Sequence, residues 1–221
     1  MRLAIIGGSF NPLHIGHAML ADTMIKERRY DKILFIPTCV PPHKQLSGGI
    51  TTEQRVGMVK AFCESVPGNV FECETCEIDR GGVSYTVDTL EYIVKKYDGE
   101  LEGKPALLMG SEMASEFYKW YKPQRIAELA DITIVPRYPD ILNNSGKYKN
   151  KPSGAYAGDF KTEFDKDKFG FDFVLLEKPM VPVSSTQIRT RVSEGKSFEY
   201  LVPAAVYKYI VNYQLYKKGI E

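Results

Sequence analysis

The chain has 221 residues, with 29 Lys and Arg against 28 Asp and Glu and a formal net charge of +1. That length can bury one full core, and the balanced charge gives no basic bias toward nucleic acid or a membrane surface. No apolar run approaches membrane-spanning length, so neither nucleic acid nor membrane is an expected partner. An apolar run begins at residue 3, leaving no room for a signal peptide ahead of it. The expected location is therefore the cytoplasm, and four Cys suit its reducing conditions.

Taken in chain order, residues 3–6 (Leu-Ala-Ile-Ile) read as a buried strand, and Leu20, Met24 and Ile25 as the apolar face of a helix. Between them lies Gly7-Gly8-Ser9-Phe10-Asn11-Pro12-Leu13-His14-Ile15-Gly16-His17. A glycine-rich turn handing a strand to a helix leaves backbone N–H groups and the positive end of the helix dipole facing outward, which favours an anion. His14 and His17 are three apart and share a face, and Gly16 leaves room for close approach of a ligand. Two of the three His lie in this one turn, which points to a triphosphate site.

A second strand is expected at 33–36, followed by Pro41-Pro42-His43-Lys44 with the third His. Thr51-x-x-Gln54 is a capping box for a helix with Val56, Val59 and Cys63 on one face. Cys73-x-x-Cys76 falls in a strand-like stretch, without the second pair a zinc site needs and without the helix start a redox pair prefers. Thr86 can cap a helix carrying Val87, Leu90, Val94 and Tyr97. Further strands are expected at 106–109, 132–135 and 173–176. Between the last two, residues 143–168 form an irregular insertion without periodicity, rich in Gly, Lys, Asp and Asn, and are expected to be a surface excursion.

Val183-Ser184-Ser185-Thr186-Gln187-Ile188-Arg189 carries a second capping box, Ser184-x-x-Gln187. Ser185 and Thr186 lie four and three positions before Arg189, so hydroxyls and guanidinium share one side of a helix start, a second phosphate cradle. Gly195 suits the stop of that helix, and Pro203 the first position of another carrying Val206, Ile210 and Val211.

Strands alternating with helices indicate a doubly wound, Rossmann-like parallel sheet, a three-layer α/β/α architecture with a small C-terminal helical part over 184–221. No repeat or linker divides residues 1–221, so one domain is expected. Ligands in such sheets bind at the carboxyl ends of the strands, where the motifs above fall.

These motifs, in this order, resemble the nicotinate-nucleotide adenylyltransferase family of the nucleotidylyltransferase superfamily. The resemblance rests on Gly7 to His17 with its His-x-Gly-His, the loop Pro41-Pro42-His43-Lys44, Ser84-Tyr85-Thr86-Val87-Asp88-Thr89-Leu90, the stretch from Gly110 to Trp120, Ser184-Ser185-Thr186-x-x-Arg189 and Tyr200-Leu201-Val202-Pro203. It covers nearly the whole chain. Departures are Glu112 where the family has Asp, Arg137-Tyr138-Pro139 for Arg-Pro-Gly, and Leu13 for Pro.

The resemblance implies transfer of AMP from ATP to nicotinate mononucleotide, with pyrophosphate leaving and no covalent intermediate. The attacking phosphate monoester, with a second pKa of about 6, is largely ionised at neutral pH and needs no general base. Catalysis then consists of positioning and charge stabilisation. The resemblance assigns His14, His17 and Arg189 to catalysis on the phosphates. Gly8, Ser9, Phe10, Gly16, Gly110, Glu112, Ser185 and Thr186 are assigned to ATP. Asn11, His43, Lys44, Thr86, Trp120 and Tyr121 are assigned to nicotinate mononucleotide, with Trp120 stacking on the pyridinium. Mg²⁺ should accompany ATP, held by phosphate oxygens and water rather than a residue cage. A homo-oligomer is compatible with the sequence but not specified by it. The competing readings are a related transferase acting on nicotinamide mononucleotide, phosphopantetheine or CMP and a sugar alcohol phosphate, and a nucleotide-binding regulator without turnover. A plain dinucleotide-binding domain would need Gly-x-Gly-x-x-Gly after the first strand, which Gly7-Gly8-Ser9-Phe10 does not supply.

Overall fold

A computed structural model describes residues 1–40, 49–136, 168–176 and 181–217. Six parallel strands form one sheet: β1 (Leu3–Gly8), β2 (Lys32–Pro37), β3 (Phe71–Cys73), β4 (Ala106–Gly110), β5 (Asp131–Val135) and β6 (Val174–Leu175). Their order is β3-β2-β1-β4-β5-β6. In register, Ala4 faces Ile33 on one side and Ala106 on the other.

The strands are apolar throughout because both sheet faces are buried. Ala4, Ile6, Ile33, Phe35 and Leu108 enter one core with Leu20 and Met24 of α1 (Ile15–Lys26) and Met58, Val59 and Phe62 of α2 (Thr52–Glu64). Ile188 of α7 (Ser185–Ser193) and Val206 and Ile210 of α8 (Ala204–Asn212) close that layer. The alternate residues Leu3, Ile5, Leu34, Ile36, Leu107 and Met109 enter a second core. It is covered by α4 (Thr86–Lys96) through Val87, Leu90 and Ile93, by α5 (Ser111–Ala114) through Ala114, and by α6 (Pro123–Leu129) through Ile126. This is the expected doubly wound α/β/α arrangement. No helix among the described residues is long and apolar enough to cross a membrane.

Several local expectations shift. The strand-like stretch around the two close cysteines is divided: β3 ends at Cys73, and Cys76 opens a short helix, α3 (Cys76–Arg80). The Thr51–Gln54 capping box forms, with Gln54 N donating to Thr51 Oγ1 at 3.2 Å and Thr51 N to Gln54 Oε1 at 2.9 Å. The buried face of α2 is turned, however, to Arg55, Met58, Val59, Phe62 and Cys63, leaving Val56 half-buried. Thr86 is the first helical residue of α4 rather than its cap, and Pro203 is the cap of α8 rather than its first residue. Val211 of α8 is exposed. Gly195 does end α7: with φ +67 it donates its N–H to Val192 O at 3.0 Å. Nearly all of the irregular insertion, residues 143–167, lies outside the described residues, as do Arg137, Tyr138 and Pro139.

Candidate active site

β1 lies between β2 and β4. The chain leaves β1 toward one edge of the sheet and returns to β4 on the other side. The loops after β1 and β4 therefore diverge and open a crevice at the carboxyl ends of the strands, the usual ligand position in such sheets. Gly8 ends β1, and Gly110 ends β4 and caps α5.

The turn after Gly8 delivers both histidines to the start of α1. His14 is the N-cap, with extended backbone at φ −137 and ψ 173, and His17 is the third helical residue. The His14 N–H donates to His17 Nδ1 at 3.2 Å. An Nδ1 that accepts leaves the proton of a neutral imidazole on Nε2, so His17 presents a donor there. The two rings stack with centroids 3.8 Å apart, and Phe10 meets His17 edge-on at 5.2 Å. A Cβ on Gly16 would stand 3.1 Å from the His14 ring and 3.4 Å from Val183. The missing side chain thus serves the packing of His14 and of the segment before α7, where the sequence suggested ligand access.

The turn itself is held through its carbonyl groups. Gly8 O accepts Thr38 N at 2.9 Å. Ser9 O accepts Arg55 Nη1 at 2.9 Å. Asn11 O accepts Arg189 Nη1 at 2.8 Å, and Pro12 O accepts the Ser185 hydroxyl at 2.8 Å. Phe10 adopts φ +44, a conformation that costs about 1–3 kcal/mol. Burial of its ring against Phe35 and His17 holds it there. Among the described residues, neither the Ser9 nor the Phe10 N–H donates to the protein.

The second cradle meets the first. Ser184 Oγ accepts Gln187 N at 3.2 Å, so the expected cap opens α7. Thr186 Oγ1 accepts Arg189 Nη2 at 3.1 Å. Thr186 is exposed, while Arg189 and Ser185 are half-buried against the turn. The same guanidinium and hydroxyl that the sequence placed on phosphate therefore also anchor the glycine turn.

Across the crevice, Glu112 is exposed in the first turn of α5. Trp120 is half-buried, packed on the second core with its ring 5.3 Å from Phe117. Tyr121 is exposed and pairs with Tyr85, the cap of α4, at 4.8 Å. Thr86 follows Tyr85 and is half-buried. The structure thus groups Thr86, Trp120 and Tyr121 around α4 and α5, and Gly8 to His17, Ser185, Thr186 and Arg189 around α1 and α7. His43 and Lys44 lie outside the described residues.

Three participants escaped the sequence reading. Arg55 is 1% exposed and sits on the face of α2 where an apolar residue is expected; a cation at that helical position was the available signal. Tyr216 donates to Asn11 Oδ1, which nothing local announces. Glu77 is buried behind the Ser84–Thr86 segment, accepting the Thr89 hydroxyl at 2.8 Å, and burial raises its pKa. Cys76, at a helix start after all, has a thiol pushed by burial up to about 12, as is that of Cys73, so neither supplies a reactive thiolate. Among the described residues no group of three or more His, Cys, Asp or Glu is placed to hold a metal.

A doubly wound sheet with a His-x-Gly-His helix start at its switch point and an arginine-bearing helix start beside it defines a nucleotidyltransferase-like site. Residues 5–191 match the family model described as cytidylyltransferase-like. A protein of Treponema pallidum named a probable nicotinate-nucleotide adenylyltransferase is 35% identical over 98% of this chain and 100% of its own length. One of the same name from Borrelia garinii is 34% identical over 100% of this chain and 97% of its own. The chain belongs to the nicotinate-nucleotide adenylyltransferases of the cytidylyltransferase-like family. The fold agrees with the Plasmodium falciparum nicotinic acid mononucleotide adenylyltransferase, solved with NaAD (TM-score 0.70) and with APC (TM-score 0.68). Both are 16% identical, covering 100% of this chain and 99% of theirs.

Proposed function

We propose that this chain transfers AMP from ATP to nicotinate mononucleotide, giving nicotinate adenine dinucleotide and pyrophosphate, a step of NAD biosynthesis. The observation that carries this reading is the pairing of His17, His14 and Arg189 around one turn at the switch point, in a chain whose full-length relatives bear that name.

In this reading the triphosphate lies on the Gly8–Phe10 turn, against the N–H groups of Ser9 and Phe10 and the start of α1. His17 Nε2–H donates to the oxygens of the α-phosphate, where charge builds as the acceptor phosphate attacks. A new P–O bond forms from the mononucleotide phosphate to the α-phosphorus, and the bond from the α-phosphorus to the bridging oxygen breaks. Arg189 and Thr186 hold the departing pyrophosphate. Gly110 and Glu112 lie at the ribose end of ATP; Glu112 reaches one methylene further than the family Asp. Trp120 offers an indole face to the cationic pyridinium ring, with Thr86 and Tyr121 beside it. N–H donors around Thr86 and Tyr121 suit a carboxylate, which only accepts, over an amide, which must also donate. Asn11, His43 and Lys44 are assigned to the acceptor phosphate end.

A divalent ion, Mg²⁺ in the first instance, would be held on the nucleotide by phosphate oxygens and water. Such an ion supplies charge neutralisation to the triphosphate.

The test is pyrophosphate release with ATP against nicotinate mononucleotide, nicotinamide mononucleotide and phosphopantetheine side by side. The highest kcat/KM is expected with the first. Preference for phosphopantetheine, or no turnover with any acceptor, would overturn the assignment.

A further inference from the structure

A planar trans peptide points its C=O and its N–H in opposite directions. Anchoring a carbonyl on one side of a turn therefore aims the following N–H to the other. In the phosphate turn, the Gly8–Ser9 peptide is anchored by Thr38 N on Gly8 O, an extension of the β1–β2 pairing. The Ser9–Phe10 peptide has no such main-chain support. Its carbonyl is held by Arg55 Nη1 at 2.9 Å, from α2, 46 positions away. The second arm of the same guanidinium donates to Thr52 Oγ1 at 3.2 Å, fixing the plane of the fork. Phe10 sits just beyond at φ +44, so the peptide that Arg55 grips is the one leading into the unfavourable conformation.

The charge of Arg55 is equally informative. At 1% exposure it is the largest fully buried side chain among the described residues, and no carboxylate forms a salt bridge with it there. Burial lowers its pKa, and the acid nearest in sequence, Glu53, points to solvent. A buried cation without a carboxylate is costly, and a negatively charged ligand bound nearby would offset that cost.

We propose that Arg55 is a positioning residue for the nucleotide: it aims the Phe10 N–H into the crevice, and the bound triphosphate is the counter-charge of its guanidinium. This rests on the ATP site proposed above. Hydrogen bonding of a cation to Ser9 O also polarises that peptide and strengthens its N–H as a donor. Lysine cannot reproduce the arrangement, because a single ammonium does not hold Ser9 O and Thr52 Oγ1 in one plane.

The experiment compares wild type, Arg55→Met and Arg55→Lys by thermal unfolding with and without Mg-ATP, and by kcat and KM for each substrate. Arg55→Met is expected to lose most of the ATP-induced Tm shift, whichever way the loss of its bonds to Ser9 O and Thr52 Oγ1 and the removal of a buried charge move the ligand-free Tm. Its KM for ATP should rise about tenfold, and its kcat should fall by up to about 100-fold, the scale of a small misplacement at the reacting centre. The KM for the mononucleotide should stay near wild type. Arg55→Lys should recover part of the ATP affinity but not the kcat. An Arg55→Met protein with an undiminished ATP shift would make Arg55 merely structural and overturn the proposal. If Arg55→Met does not fold, Arg55→Lys decides: wild-type kcat there overturns the proposal, and low kcat with near-normal ATP binding supports it. The wild-type ATP shift is read without acceptor, so failure of the nicotinate assignment leaves this comparison decisive.

Discussion

The phenol of Tyr216 donates to Asn11 Oδ1 at 2.8 Å, joining two residues 205 positions apart. Burial raises the pKa of Tyr216, so it stays a donor throughout the physiological range. Asn11 is 4% exposed, and its backbone carbonyl simultaneously accepts Arg189. The segment after α8 thus reaches the back of the phosphate turn. Tyr216→Phe removes one donor to a buried acceptor, at a cost of about 1–3 kcal/mol. For a chain of this size that corresponds to a Tm lower by roughly 2–12 °C, with a parallel fall in kcat/KM. Calorimetry showing an unchanged Tm would mean the bond contributes nothing.

His17 Nδ1 accepts the His14 N–H, and the proposed catalytic duty falls to its Nε2–H. His17→Ala should lower kcat by about 10²–10³. His17→Asn can retain the acceptor near Nδ1 but not the outer donor, and should stay as slow as Ala while holding a higher Tm. His17→Gln reaches the Nε2 position and should recover part of the rate. Equal kcat for Asn and wild type would remove the donor from the mechanism.

Trp120 rests on Phe117 at 5.3 Å and remains half-buried. Stacking on a pyridinium is worth on the order of 1–2 kcal/mol, so Trp120→Ala should raise the mononucleotide KM about five- to thirtyfold. The KM for ATP should change little. If both KM values rise together and the protein melts earlier, the residue serves the core and the acceptor site lies elsewhere.

Glu77 accepts Thr89 at 2.8 Å, with its other oxygen, Oε2, buried without a partner, and burial raises its pKa above the ordinary 4.5. The folded state therefore holds a proton that the unfolded chain has released. Its stabilising contribution is full below about pH 4.5 and is lost as pH rises through the folded-state value. Glu77→Gln cannot ionise, so the difference in Tm between variant and wild type should move in favour of Gln as pH rises from 4.5 upward. A difference that is flat with pH would show that Glu77 titrates normally.

The strand runs, the Thr51–Gln54 capping box, the Ser184 cap and the histidine turn were legible in the sequence, whereas the second half of the Ser184–Gln187 box does not form. Each is decided within a few residues: a doubly buried strand must be apolar at every position, and a cap needs its partner only three positions on. The class of site was readable for the same reason, since the glycines, His14 and His17 adjoin one another. Other features depend on partners far along the chain. The stretch around Cys73 reads as strand-like, but where β3 stops was not legible, because three residues are too few for a period and pairing with β2 sets its length. The buried face of α2 was misjudged by one position because Arg55 sits in it, and its guanidinium is held there by Ser9 O, 46 positions away in sequence but within hydrogen-bonding distance. Ser185, Arg189 and Tyr216 likewise reach residues 11 and 12 across 173, 178 and 205 positions. No local pattern encodes such distances. They follow from packing α7, α8 and the chain end onto the same sheet face as α1 and α2, and that packing turns an anion-binding turn into an oriented one.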